Sequence, residues 1–184
     1  GGGGYGVTYS PDGTQLATAA GDRILLWRAG STALDRSISL KKRASSVAFS
    51  PDGLWIAASP ALPSDPVILL DAVSGREVAT FDNPIVSRHR YDFLTRALTF
   101  SPDGRRILFG NADGEIIYWD VETQKRTVLF ESIGVAVQSL AISLDARWLA
   151  AAGVADDIWI FDLDAVALHR HLILPYGRLQ HMQF

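Results

Sequence analysis

The chain has 184 residues, 48% of them hydrophobic and 20% charged, with no cysteine and a formal net charge of −3. That much apolar material can fill the core of an ordinary domain, which excludes a disordered chain. The small negative charge leaves no electrostatic footprint for nucleic acid or an anionic membrane. Without cysteine there is no disulfide framework, thiolate metal site or thiol nucleophile.

Gly1–Gly4 stands at the front without an initiator Met and reads as a flexible linker or a tag remnant. No apolar run approaches the length of a membrane helix, and no basic-then-apolar leader follows. A cytoplasmic setting is expected. From Tyr5 the chain becomes a series of short alternating runs punctuated by one recurring stretch. Ser10-Pro11-Asp12-Gly13 returns unchanged at Ser50-Pro51-Asp52-Gly53 and at Ser101-Pro102-Asp103-Gly104, with a worn copy at Ser143-Leu144-Asp145-Ala146. The copies start 40, 51 and 42 residues apart. Each residue has a local reason to be there. Serine bonds the backbone ahead of it, proline arrives with φ set, aspartate tolerates the third place, and glycine takes the positive φ of a tight hairpin.

In chain order, the first repeat predicts strands over 5–10, 15–20, 23–27 and 34–40. The basic run Lys41-Lys42-Arg43 then leads to strands over 45–50, 55–59, 67–72 and 77–81. Pro60, Pro63 and Pro66 predict a rigid loop inside that second repeat. The 51-residue spacing exposes an insertion, Asp82–Thr95, holding Arg88-His89-Arg90-Tyr91. The third repeat predicts strands over 96–101, 106–111, 115–121 and 126–131, and the fourth over 137–143, 148–154, 157–163 and 167–174. A final run, 178–184, aligns with the first strand of a further repeat, whose hairpin would begin at about 185 by the same period.

A period of forty-odd residues with four short strands per unit is the mark of β-propeller blades. The fold class is therefore all-β: about four antiparallel four-stranded blades at 5–40, 44–81, 96–131 and 137–174, plus an extra inner strand at 178–184. Trp119-Asp120, with the Asp113-Gly114 turn before it and the Ser-Pro-Asp-Gly hairpin upstream, resembles a WD-repeat blade of the bacterial style. The resemblance covers nearly the whole chain. It implies a non-enzymatic protein-interaction scaffold or sensor module cut from a longer array. Two alternatives stand beside it: the non-catalytic propeller of a hydrolase or peptidase, and an excised or engineered fragment.

The resemblance also implies an internal polar network. Asp22, Trp27 and Thr18 could supply members in the first blade, and Asp113 and Trp119 two in the third, with Asp120 following the third-strand Trp. The family's histidine is missing, its places taken by Leu40, Tyr91 and Ile133. These residues are structural. Lys41, Lys42 and Arg43, and Arg88, His89, Arg90 and Tyr91, each precede an inner strand, so both runs are expected on the rim where partners dock in this family. An acidic partner surface would suit them; the plainer reading is solvated loop charge. His169 and His171, two apart, are expected to share a face of an outer strand without converging on a metal. The five tryptophans are expected at equivalent positions, packing blade on blade. No catalytic, cofactor or metal site is expected. The expected partner is a protein, not nucleic acid or membrane: a homo-oligomer or a complementing chain completing the ring.

Overall fold

The computed structural model describes residues 5–62, 65–82, 97–153 and 157–173. Fifteen strands and no helix lie among them. They form two compact units divided after Pro84.

The first unit holds β1 (Tyr5–Tyr9), β2 (Gln15–Ala19), β3 (Gly21–Arg28), β4 (Leu34–Phe49), β5 (Trp55–Pro60), β6 (Val67–Asp71) and β7 (Glu77–Phe81), hydrogen-bonded in that order and antiparallel throughout. The predicted boundaries lie within a residue or two of these, with one exception. The fourth strand of the first repeat and the first strand of the second are a single 16-residue strand. The first half of β4 pairs with β3 and the second half with β5. Two four-stranded blades therefore share one strand, and the basic run lies inside it rather than in a loop.

The two blades bury their faces on each other. Ala17, Ala19, Ile24, Leu26 and Ile38 of the first meet Val47, Ile56, Ala58, Ile68 and Leu70 of the second. At the inner edge the approach is close enough to require glycine. A Cβ on Gly6, whose φ is +45°, would stand 2.7 Å from the Ser46 Cα.

The second unit has two four-stranded sheets. One is β8 (Leu98–Phe100), β9 (Arg106–Gly110), β10 (Ile116–Asp120) and β11 (Arg126–Phe130). The other is β12 (Val137–Ile142), β13 (Trp148–Gly153), β14 (Asp157–Asp162) and β15 (Ala167–Ile173). Leu108 and Ile116 pack with Val137, Leu149, Trp159 and Phe161, and Phe130 stacks on Phe161 at 3.9 Å. Such a ring pair adds about 1 kcal/mol beyond its burial. The tryptophans are not equivalent. Trp119 is 1% exposed and Trp159 is buried, whereas Trp55 and Trp148 open their strands and Trp27 nearly closes one, all three half-buried. Trp27, Trp55 and Trp148 lie on the sheet faces opposite those that carry Leu26, Ile56 and Leu149 into the contacts between blades.

The recurring hairpin is built identically four times. Ser10, Ser50, Ser101 and Ser143 each accept, on the backbone carbonyl, the N–H of the residue three on: Gly13, Gly53, Gly104 and Ala146, at 2.8–2.9 Å. The serine hydroxyl donates to the aspartate and accepts the N–H of the residue that opens the next strand. The fourth residue is left-handed in every copy, at φ +69°, +73° and +70° for the glycines and +59° for Ala146. The worn copy keeps the geometry and carries the strain of an alanine there.

A second aspartate closes the turn after the third strand. The Asp71 carboxylate accepts the Ser74 N–H at 2.6 Å, Asp120 accepts that of Thr123 at 2.8 Å, and Asp162 accepts those of Asp164 and Ala165. Where the first repeat has Arg28 instead, its guanidinium pairs with Asp35 across the turn at 3.7 Å. The caps lower proton affinity. Asp12, Asp103 and Asp145 are held below the ordinary 3.8 chiefly by the serine hydroxyl two residues back. Asp71, Asp120 and Asp162 are held below it chiefly by the backbone N–H three residues on.

Two predictions follow from these turns. Ala146→Gly relieves the left-handed alanine and is expected to raise stability by about 1 kcal/mol, read as a higher urea midpoint at unchanged slope. The folded carboxyls bind protons more weakly than the unfolded ones, so their stabilisation is complete above the ordinary carboxyl range and is lost as pH falls through their depressed values. The urea midpoint should stay level down to about pH 5 and decline below about pH 4. The Asp71→Asn/Asp120→Asn variant should decline less steeply; an equally steep decline would show that these caps do not carry the effect.

Candidate docking surface

In the first unit the basic run occupies the end of the sheet opposite the Ser-Pro-Asp-Gly hairpins. The β3–β4 ladder passes from Arg23↔Ser39 directly to Gly21↔Ala44. Leu40, Lys41, Lys42 and Arg43 lie between those two pairs. They are extended but outside the ladder, so the three basic side chains stand exposed.

They are not alike. Lys42 Nζ sits 3.1 Å from Asp65 Oδ1, and the Asp65 side chain is only 10% exposed. The Arg43 carbonyl accepts the Ala61 N–H at 2.8 Å, and the Leu62 carbonyl accepts the Asp65 N–H at 3.0 Å. Lys42 therefore fastens the loop after β5, while Lys41 and Arg43 remain as the exposed cations. Sequence reasoning missed Asp65, whose one signal was an acidic residue among the prolines of the predicted rigid loop. In the second half of β4 the buried Ser45 hydroxyl lies 2.9 Å from that of Ser59 and donates to the Pro60 carbonyl, so the start of the inner strand is polar but satisfied.

Arg88, His89, Arg90 and Tyr91 lie outside the described residues. Of the expected network in the first blade, two members meet: the Trp27 indole N–H donates to the Thr18 hydroxyl at 3.3 Å, while Asp22 stands exposed at the start of β3. In the third blade Trp119 tilts against Phe109 at 5.5 Å, and Asp120 is engaged in its turn. The Asp113 N–H donates to Asn111, whose side chain in turn donates to Glu115 at 2.7 Å, and Arg126 closes on Glu115 at 3.2 Å. This Asn111–Glu115–Arg126 set is a second feature that the spacing did not announce.

The histidines do not share a face. The β14–β15 register shifts between Ile160 and Phe161, leaving His169 as the extra residue on β15. His169 then packs on Trp148 at 4.8 Å, and His171 stacks on Trp159 at 4.9 Å and pairs with Asp157 at 3.2 Å. Trp148 and Trp159 lie on opposite faces of the sheet, because Leu149 pairs with Phe161 and Ala151 with Trp159. A bulge of one residue has separated the pair that simple alternation puts together. No metal-binding group of three or more His, Cys, Asp or Glu occurs among the described residues.

The Lys42–Asp65 pair separates from its neighbours by mutation. Lys42→Ala leaves a nearly buried carboxylate without its cation and should cost about 1–2 kcal/mol, whereas Lys41→Ala should stay within about 0.5 kcal/mol of wild type. Parallel chemical denaturation of the two variants checks this.

The family model described as "WD domain, G-beta repeat" matches residues 83–120. The chain is 25% identical over 162 residues to Protein LST8 homolog of Drosophila melanogaster, which covers 84% of this chain and 48% of that protein. It is 29% identical over 116 residues to Small ribosomal subunit protein RACK1 of Schizosaccharomyces pombe, covering 62% and 37% respectively. It is 31% identical over 107 residues to Periodic tryptophan protein 2 of Arabidopsis thaliana, covering 47% and 12%. The chain thus spans at most about half the length of these relatives. Among solved structures, Kuenenia stuttgartiensis Hydrazine Synthase superposes with a TM-score of 0.78 over 94% of this chain and 49% of that one, at 17% identity, a likeness of fold alone. With the fourfold hairpin and the antiparallel four-stranded sheets, these matches place a WD40 repeat at residues 83–120 and give the chain a fold consistent with WD40 blades.

Proposed function

We propose that this chain is a non-enzymatic protein-interaction module that docks an acidic partner surface on the exposed cations Lys41 and Arg43. The observation that carries the reading is their placement. Both project from one continuous strand whose conformation is held by pairing on either side and by the Lys42–Asp65 clamp. A strand already held in place has little backbone freedom to lose on binding, which favours recognition by the charges it carries.

A second feature supports an assembling role. Val7 and Tyr9 on β1 are 64% and 63% exposed, on the same sheet face as Leu16, Leu25 and Trp27. That face is apolar and suits the cover of another blade, from a second copy or a complementing chain.

The test uses a labelled peptide of alternating glutamate and phenylalanine as an acidic probe, followed by anisotropy. Binding should weaken as salt rises and should fall by about tenfold or more in Lys41→Glu/Arg43→Glu. Equal binding by the variant, or none up to about 1 mM, overturns the reading.

A further inference from the structure

The first unit has another surface at its opposite end. There the Ser10–Gln15 hairpin lies beside the Ser50–Trp55 hairpin; a Cβ on Gly53 would stand 3.7 Å from the Pro11 ring. Between these hairpins and the turn after β6 is an open cleft of about 530 Å³. Pro11, Phe49 and Val73 give it apolar lining, and Val73 is 80% exposed at the turn. Three carboxylates, Asp12, Asp35 and Asp52, line it against one guanidinium, that of Arg36.

These charges are not evenly paired. Arg36 is engaged: its Nη2 donates to the Ala72 carbonyl at 2.6 Å and its Nη1 to that of Val73, which ties the first blade's fourth strand to the second blade's turn. Asp35 has Arg28. Asp12 and Asp52 accept hydrogen bonds within their own hairpins, and neither has a cation within ion-pair distance among the described residues. Two adjacent hairpins thus present uncompensated carboxylates beside exposed apolar surface.

We propose that this cleft is a second docking surface, which takes an extended segment of a partner protein carrying a lysine or arginine beside an aliphatic side chain. The cation meets Asp12 and Asp52. Its methylene stem and the aliphatic neighbour cover Pro11, Phe49 and Val73, the division of labour that long basic side chains perform at surfaces. The site uses none of the residues of the basic end and has the opposite sign, so it stands or falls separately from the reading given above.

The test takes the full chain and a labelled octapeptide of alternating lysine and leucine, with the glutamate–phenylalanine peptide as control. Amide resonances of residues 10–15, 50–54 and 72–73 should shift on titration. Asp12→Asn/Asp52→Asn removes the charge but keeps an oxygen to accept the hairpin N–H, and Val73→Lys places a cation on the lip without touching either hairpin. Each should weaken the lysine–leucine peptide by about tenfold, with further weakening as salt rises, while Lys41→Glu/Arg43→Glu leaves it unchanged. Unchanged affinity in both cleft variants, shifts confined to other residues, or no binding up to about 1 mM overturns the proposal. So does self-association of the free protein that Val73→Lys abolishes, which would give the cleft to a second copy instead.

Discussion

Everything in this chain hangs on the serine–aspartate hydrogen bond of the hairpin. The hydroxyl donates to the carboxylate and accepts the N–H that opens the next strand. That fixes which residue of the second strand lies opposite which residue of the first. Because strand side chains alternate, one step of slip would turn Ala17, Leu26 and their counterparts out of the core. The hairpin is thus a register lock, and the burial of each blade face depends on it. Its survival at Ser143–Ala146 without proline or glycine shows which members matter: the two polar side chains are kept, and the backbone tolerates the rest.

This explains how far the sequence could be read. Serine, aspartate and glycine act locally, so the hairpins and the strands beside them were legible from a few residues. Trp119-Asp120 was legible for the same reason, and so was the resemblance to WD-repeat blades. What escaped was set by contacts distant along the chain. Lys41-Lys42-Arg43 reads as a linker because three cations suit a loop. Asp65 and the ladders on either side make it strand. The histidine pair was misplaced because alternation assumes an unbroken ladder, and the bulge opposite Phe161 has no mark in the letters. The tryptophans were given one role because composition records their size and not the blade face that each one takes.

The first unit carries two charged clusters. Lys41, Lys42 and Arg43 gather where β4 crosses between blades, with Asp65 among them, and Asp12, Asp35 and Asp52 gather at the hairpin end, with Arg28 and Arg36 among them. The second follows directly from the repeat, since each hairpin contributes an aspartate at the same end. A stack of such blades brings acids together as a by-product of register locking. The cations have no such structural origin, apart from Lys42, which clamps a loop.

The shared strand has a consequence for how such arrays change over evolutionary time. In the second unit each sheet closes on its own four strands, so a single blade could be lost or duplicated by cutting in a loop. In the first unit any cut between the two blades passes through β4 and severs both sheets at once. There the heritable module is the doublet, and recombination that respects the fold must move eight strand positions together.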